Sequence, residues 1–364
     1  MTFLFGIILF VSAAAVIVRQ AKFGKLPAGE RLKRMKNSPN YRNGAFRNLN
    51  HTPLMTGKNG YFSAAKAFLF EKSRRSKPSS SIPSAKIDLH SLRRNDDVLV
   101  WFGHSSYFLQ VDGKRFLVDP VLSGHASPFP FTTPSHPGSD RYTPDDIPAI
   151  DYLLLTHDHW DHLDYEAITA LQPKIGTIVT GLGNGEHLEH WGFSKEKIIE
   201  KDWNESVQLD LSTTLTLTPA RHFSGRLFKR NQVLWTSFVL QSANKKIFIG
   251  GDSGYDAQFK MIGDQYGPFD LVILECGQYN ERWSAIHMMP EQTVRAAADL
   301  RGAVLFPVHW GKFILSLHAW DEPINRALQE AERTSVPVIH PMIGEQVQLN
   351  NLRRYNNRWW TTVK

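Results

Sequence analysis

Three histidines and one aspartate follow a short apolar run in the pattern H-x-H-x-D-H. They are His157, His159, Asp161 and His162. Side chains two positions apart at the end of a strand point to the same side, and we expect a tight turn to bring the next two residues to a neighbouring position. Neutral imidazoles and carboxylates are ligands that suit divalent transition metals. The pattern therefore predicts two pairs of metal ligands about one metal–metal spacing apart.

Three later apolar runs also end in a histidine or an aspartate near a glycine. His222 follows the run at 214–217, Asp252 ends Ile-Phe-Ile-Gly-Gly-Asp, and His309 ends Val-Leu-Phe-Pro-Val-His. One at a time, such residues are more often capping or core residues. Together with the first loop they supply the ligands of a centre with two divalent metal ions. Zinc is the predicted metal, with iron or manganese as alternatives.

The elements that must position these residues are short apolar strands separated by helical stretches. Strands are predicted at 98–102, 107–111, 116–118, 152–155, 177–179, 214–217, 237–240, 246–249, 271–274 and 304–308. Helices are predicted at 164–171, 184–191 and 290–300. Strands with intervening helices imply sheets that are covered by helices.

Several motifs carry a family resemblance over about residues 98–345. The order of the first loop, His222, Asp252 and His309 resembles the metallo-β-lactamase superfamily. The segments Arg221-His-Phe-Ser-Gly-Arg and His309-Trp-Gly are most similar to the branch of N-acyl-phosphatidylethanolamine-hydrolysing phospholipase D, and the ascorbate-6-phosphate lactonase-like branch is the nearest rival. The resemblance implies an α+β fold, a four-layer αββα sandwich with the metals at one edge between the sheets.

The resemblance also implies a role for each candidate ligand. The first metal takes three histidines, the second takes one aspartate and two histidines, and another aspartate bridges the two ions. In that order these residues are His157, His159 and His222; Asp161, His162 and His309; and Asp252. A water between two divalent cations loses its proton near pH ~7, so the predicted nucleophile is a bridging hydroxide. Asp161 is expected to orient it.

Two further residues are predicted to act beside the metals. Asp119 matches the strand-end aspartate of the family and is expected to orient a metal-binding histidine from behind; a turn former before Pro120 is the alternative. His287 is expected to bind substrate or protonate the leaving group, with a helix cap as the alternative. Asp161, Asp252 and His287 are the predicted catalytic residues, and His104 is interpreted as structural.

The N-terminus differs in composition from the rest of the chain. Residues 3–18 contain one polar residue, and residues 19–50 carry nine Lys and Arg against the single acid Glu30, while the whole chain has a net charge of +7. The remainder is near neutral, which argues against nucleic acid as a partner. We expect residues 1–18 to form a single-pass membrane anchor with the hydrolase domain in the cytoplasm. A signal peptide, which would export the protein, and a buried helix are the alternatives.

These observations divide the chain into four predicted segments. They are the apolar helix at 1–18, a basic wrapping segment and linker at 19–97, a hydrolase domain at 98–345 and a tail at 346–364. The single cysteine, Cys276, excludes an internal disulfide and a structural zinc site made of several thiolates. It lies in an apolar run and is predicted to be a core residue.

Three functions remain open. The favoured one is a zinc-dependent phosphodiesterase of the phospholipase D type that acts on N-acyl phospholipids. The second is a soluble lactone or small phosphoester hydrolase of the same fold. The third is a metal-dependent oxidoreductase or a non-catalytic ligand sensor. Five aromatic residues are candidates for an acyl-chain groove: Phe129, Phe131, Trp283, Trp310 and Phe313.

Overall fold

A computed structural model describes residue 5 and residues 16–56, 60–226 and 228–363 of the chain. The predicted apolar helix at 1–18 lies mostly outside these residues, so its role as an anchor stays a prediction. Across the described ranges, no helix has the length and hydropathy needed to cross a membrane.

Two mixed β-sheets form the centre of the fold. In spatial order, the first contains β15 (Gln346–Gln348), β3 (Val98–Trp101), β4 (Tyr107–Val111), β5 (Lys114–Val118), β6 (Ile150–Leu155), β7 (Ile175–Gly181) and β8 (Ile198–Lys201). The second contains β14 (Leu305–Val308), β13 (Leu271–Glu275), β12 (Lys246–Ile249), β11 (Ser237–Gln241), β10 (Thr214–Thr218) and β9 (Ser206–Gln208). A separate hairpin pairs β1 (Tyr41–Arg42) with β2 (Ala45–Phe46). Every predicted strand overlaps one of these, whereas β1, β2, β8, β9 and β15 were not predicted.

Helices cover the outer faces of both sheets. The α-helices are α1 (Gly29–Lys36), α2 (Gly60–Phe70), α3 (Tyr165–Leu171), α4 (Gly185–His190), α5 (Gln258–Tyr266), α6 (Pro290–Asp299) and α7 (Glu322–Thr334). Short 3₁₀ segments lie at Ala21–Phe23, Leu89–Ser91, Pro144–Asp146, Gln172–Lys174, Lys195–Lys197, Glu281–Trp283, Leu349–Arg354 and Trp359–Thr362. The predicted helices correspond to α3, α4 and α6.

The layers follow from the alternation of side chains along each strand. On β3, Val98 and Val100 pack with residues of α3 and α4, whereas Leu99 and Trp101 pack between the two sheets. The second sheet contributes to this inner core and is covered on its other side by residues of α6 and α7. The result is the predicted αββα order of layers.

The strand directions bring the candidate ligands to one edge. β6 is parallel to β5 and β7, so the loop that begins at His157 leaves the first sheet among parallel strand ends. In the second sheet β12, β13 and β14 are parallel, and two antiparallel pairings give β10 the same direction. The loops after β10, β12 and β14 therefore begin at one edge, where His222, Asp252 and His309 follow.

The folded body extends beyond the predicted boundary at residue 345. Strand β15 pairs antiparallel with β3, and Gln346 lies opposite Val100. Trp359 stacks on Trp310 with ring centroids 5.5 Å apart and an interplanar angle of 17°. The predicted tail is thus part of the first sheet and of the core.

Candidate metal centre

One group of ligand atoms contains His157, His159, His222 and Asp252, all within 4.8 Å of one another. His157 Nε2 lies 2.8 Å from His159 Nδ1, and His222 Nε2 lies 3.2 Å from the same atom. The ring nitrogens of three strand-end histidines therefore converge on one point. The H-x-H spacing and the loop after β10 produce this convergence together.

A second group contains His104, Asp161, His162 and His309, again within 4.8 Å. His104 was interpreted as structural, and its Nε2 lies 3.0 Å from Asp161 Oδ2. The imidazole therefore holds one carboxylate oxygen of Asp161 in place. Burial disfavours the ionised form of Asp161, but the facing imidazoles of His162 and His104 outweigh burial and lower the pKa of this carboxyl.

Asp252 lies between the two groups. Its Oδ2 is 3.7 Å from His222 Nε2 and 3.2 Å from His162 Nε2, and its Oδ1 is 3.2 Å from His309 Nδ1. A single carboxylate thus reaches ligands of both groups, as a bridging ligand must. The structure places all seven predicted ligands together at the edge between the sheets.

The donor set fits a pair of divalent cations. Neutral imidazole nitrogens that face one another at hydrogen-bond distance share at most one proton, whereas a cation between them accepts every lone pair. His162 Nε2 and Asp252 Oδ1 are buried, and within the described ranges neither makes a well-directed hydrogen bond. An unsatisfied buried polar atom costs about 1–3 kcal/mol, so metal ions would remove a penalty that the protein alone retains.

Residues behind the ligands fix the orientation of the rings. Asp119 Oδ2 accepts a hydrogen bond from His162 Nδ1 at 2.8 Å and another from Thr156 Oγ1 at 2.6 Å. His222 Nδ1 lies 2.8 Å from the Ile286 carbonyl oxygen, which leaves Nε2 for the centre. Such outer partners set the tautomer and the basicity of a metal-binding imidazole. The structure thus places Asp119 behind His162.

A buried arginine joins the two loops that carry the three histidines of the first group. Arg226 donates hydrogen bonds to the carbonyl oxygens of Asp158 and Leu163, and its guanidinium lies 3.8 Å from the centroid of the Trp160 ring. The carboxylate of Asp158 in turn accepts from the Gly225 backbone N–H at 2.7 Å. Asp158, which lies between two ligands in sequence, thus ties the loops together.

His287 lies beside the two groups of ligand residues and is held by a glutamate that the sequence motifs do not include. Its Nδ1 is 2.6 Å from Glu275 Oε2, and Glu275 Oε1 accepts from the Ser253 backbone N–H at 2.8 Å. Burial disfavours the imidazolium, but the Glu275 carboxylate outweighs burial and raises the pKa of His287 to about 9. Burial also raises the pKa of Glu275, to about 7, against the opposing effect of His287.

A signal for Glu275 was present in the sequence. The residue ends the otherwise apolar strand β13 and is fully buried. Charged side chains are almost never fully buried unless they are paired, so a glutamate in such a run indicates a buried partner. The partner could be identified only from the folded structure, because the loop between β13 and α6 brings residue 287 next to residue 275.

A cavity of about 260 Å³ opens above the two groups. Its base contains His159, Asp161, Asp252, His287 and His309, and its walls contain Met55, Phe68, Phe223, Gln278, Trp283, Ile286 and Leu315. Of the five aromatic candidates for a groove, Trp283 lines this cavity. Trp310 is a core residue, Phe313 packs against His104, and Phe129 and Phe131 pack on each other away from it.

Comparisons with known proteins agree with this geometry. Residues 114–310 match the family model described as the β-lactamase superfamily domain. An uncharacterized protein of Mycobacterium tuberculosis is 39% identical over 329 residues, which is 89% of this chain and 87% of that protein. N-acyl-phosphatidylethanolamine-hydrolyzing phospholipase D 1 of Caenorhabditis elegans is 30% identical over 282 residues, 71% of this chain and 78% of that one.

Among solved structures, the chain is similar to Igni18, a metallo hydrolase from Ignicoccus hospitalis. The TM-score is 0.54 at 22% identity, and the match covers 69% of this chain and 97% of that one. This likeness concerns the fold. The family match and the C. elegans relative show that the chain belongs to the metallo-β-lactamase superfamily, as a metal-dependent hydrolase related to the N-acyl-phosphatidylethanolamine-hydrolysing phospholipases D.

Proposed function

We propose that the protein is a zinc-dependent phosphodiesterase of the phospholipase D type, which cleaves an N-acyl phospholipid into phosphatidic acid and an N-acylethanolamine. The observation that carries the proposal is the cavity, because two groups of metal ligands and His287 form its base while apolar side chains form its walls. The C. elegans relative supports it, since that protein is named for this activity.

The ligand set favours zinc, which takes imidazole and carboxylate ligands. One ion would be held by His157, His159 and His222. The other would be held by Asp161, His162 and His309, and Asp252 would contact both ions. When bound, the two cations supply a water of lowered pKa and positive charge that stabilises the transition state.

The protein's own side chains position the water and the leaving group. Asp161 lines the cavity with one oxygen held by His104, so its carboxylate is placed to accept a hydrogen bond from the attacking water. Glu275 occupies Nδ1 of His287, which leaves Nε2 as the ring nitrogen available to the cavity. The water releases one proton to the solvent, its oxygen bonds to phosphorus and the bond to the ethanolamine oxygen breaks. Nε2 donates its proton to that oxygen and is protonated again from the solvent.

The apolar walls suit the acyl part of a lipid. Phe68 and Trp283 stack with ring centroids 5.8 Å apart, and Phe223 packs edge-on against His159. Burial of methylene groups against such walls contributes about 0.8 kcal/mol per group. A long-chain substrate therefore gains binding energy here that a short ester does not.

The test is mass spectrometry of the products formed by zinc-loaded protein. The substrates are N-acylated phospholipids, ordinary phospholipids and small lactones, and His309→Ala is the matched inactive variant. Phosphatidic acid together with N-acylethanolamine, both lost in the variant, is the expected result. Opened lactones alone would favour the soluble hydrolase, and no turnover of any substrate would contradict a hydrolase acting on these esters.

A further inference from the structure

Helix α2 has two apolar faces, of which the structure buries one. Ala64 and Ala67 pack into a cluster with Trp283, Ile286 and Leu317. On the other side lie four large exposed side chains that we call the α2 face: Tyr61, Phe62, Leu69 and Phe70, with exposed fractions of 57%, 78%, 75% and 78%. A helix that is apolar all round is normally buried all round, and contiguous exposed apolar patches mark interaction sites.

The centre of the α2 face is a strip along the helix formed by Phe62, Lys66 and Leu69. Phe62 and Leu69 are seven residues apart, which places them two turns apart on the same side of the helix. Lys66 lies between them on that side and is exposed. Tyr61 is joined to the neighbouring loop, because Arg230 donates a hydrogen bond to its hydroxyl at 2.9 Å.

The charges carried by residues 60–74 are mostly positive. The cations Lys66, Lys72 and Arg74 are exposed along residues 60–74, and the sole acid in that range is Glu71. Its carboxylate is paired with Arg282 at 2.6 Å. Residues 60–74 therefore combine exposed aromatic and aliphatic side chains with three exposed cations, and the one acid in this range is paired.

The α2 face adjoins the opening of the metal cavity. Phe68, on the same helix, lines the cavity and stacks on Trp283 with an interplanar angle of 12°. A single turn of helix thus has one side chain in the cavity wall and its neighbours Leu69 and Phe70 in solvent. Whatever covers the α2 face lies beside the cavity opening.

We propose that the α2 face docks on the surface of an anionic lipid bilayer. Apolar side chains flanked by Lys and Arg are the composition of helices that lie in the membrane interface. A protein partner is less well matched, because protein interfaces form about one hydrogen bond per 100–200 Å² and this face presents few polar groups besides the Lys66 ammonium. The consequence for catalysis rests on the proposed function, whereas the docking itself does not.

The docking is tested with a fluorophore on the full chain. The native Cys276 is buried, so a cysteine introduced by Leu69→Cys is the accessible site for an environment-sensitive maleimide dye. Leu211→Cys, at a fully exposed leucine between β9 and β10, is the matched control. The probes are vesicles of phosphatidylcholine alone and of phosphatidylcholine mixed with phosphatidylglycerol.

The expected result is a blue shift at position 69, larger with the anionic vesicles, and no shift at position 211. Because the dye reports its own surroundings, attachment through another part of the chain does not by itself produce this pattern. The proposal is overturned if position 69 does not respond to anionic vesicles or if both positions respond equally. A shift at position 69 that follows protein concentration without vesicles would instead indicate a second copy of the chain.

A second experiment links docking to turnover. The triple variant Phe62→Ser, Leu69→Ser and Phe70→Ser removes apolar area without touching the cavity wall, and Leu211→Ser is its control. We expect the triple variant to lose about tenfold in hydrolysis of vesicle-embedded substrate, since each side chain contributes to interfacial binding. Hydrolysis of a water-soluble phosphodiester should stay unchanged. If no phosphodiester is cleaved, the proposed function fails while the fluorescence result still decides the docking; equal losses on both substrates contradict the docking role.

Discussion

The metal centre and the wall of the cavity are built in different ways. The predicted ligands follow β-strands, and most of them are fully buried and held by a second residue, as His162 is held by Asp119. The wall includes α2, which buries two alanines and leaves four large apolar residues in solvent. The sheets therefore position the groups that could do chemistry, whereas a helix outside the sheets forms part of the surface around the cavity opening.

The largest expected effect comes from breaking the link between the two ligand groups. Asp252→Asn removes the charge that both groups share, so we expect loss of bound metal and a fall in hydrolysis of about a thousandfold or more. Metal analysis and kcat measure this. Asp264→Asn, at an exposed carboxylate on α5, is the control. Full activity of Asp252→Asn would contradict the bridging role of Asp252.

A smaller effect is expected where the protein acts beside the metals. Glu275→Gln keeps the shape but removes the negative partner of His287, so the pKa of His287 falls and less of it carries a proton for the leaving group. We expect kcat to fall about a hundredfold for an alkyl leaving group, with metal content and KM nearly unchanged.

The control for that prediction is a substrate whose leaving group needs no proton. A nitrophenyl ester releases a stable anion that needs no proton, so Glu275→Gln should cleave it almost as fast as the natural chain does. Equal loss with both leaving groups would show that Glu275 supports the structure of the centre and does not act through His287.

Asp119→Asn tests the hydrogen bonds that orient the metal ligands from behind. An amide accepts a weaker hydrogen bond from His162 and leaves the ring less basic, so metal affinity should fall about 10- to 100-fold. Competition with a chelator measures the affinity. Activity at saturating metal should largely recover, which separates this variant from Asp252→Asn; affinity equal to that of the natural chain would contradict the role.

The smallest effect is expected in the wall. Phe68→Ala removes a stacking partner of Trp283, and we expect a severalfold rise in KM for a long-chain lipid, since about 1 kcal/mol of contact with the chain is lost. The kcat for a small water-soluble ester should not change. A fall in kcat for both substrates would show that the wall and the metal centre are not independent.

The sequence predicted the two regions unequally, and the reason is physical. The ligands could be found because each follows an apolar strand, so local patterning and the H-x-H-x-D-H spacing were sufficient. Glu275 was missed because its partner depends on how β13 and α6 pack. The pairing of β15 with β3 joins distant parts of the chain, and local pattern does not encode it.

The wall was harder still to predict. Trp310 and Phe313 follow His309 in sequence, yet one lies in the core and the other packs against His104. Phe68 lies far from every ligand in sequence and lines the cavity through the packing of α2. Sequence distance from the motif was therefore a poor guide to which aromatic residues approach the substrate.

Anomalous diffraction at the zinc edge from crystals of the zinc-loaded chain tests the paired metal centre most directly. We expect two peaks, one among His157, His159 and His222 and one among Asp161, His162 and His309, with Asp252 between them. A third arrangement of ligand atoms exists, because Asp252, Glu275, His287 and His309 also lie within 4.8 Å of one another. A single peak, or a peak in that third group, would contradict the paired centre.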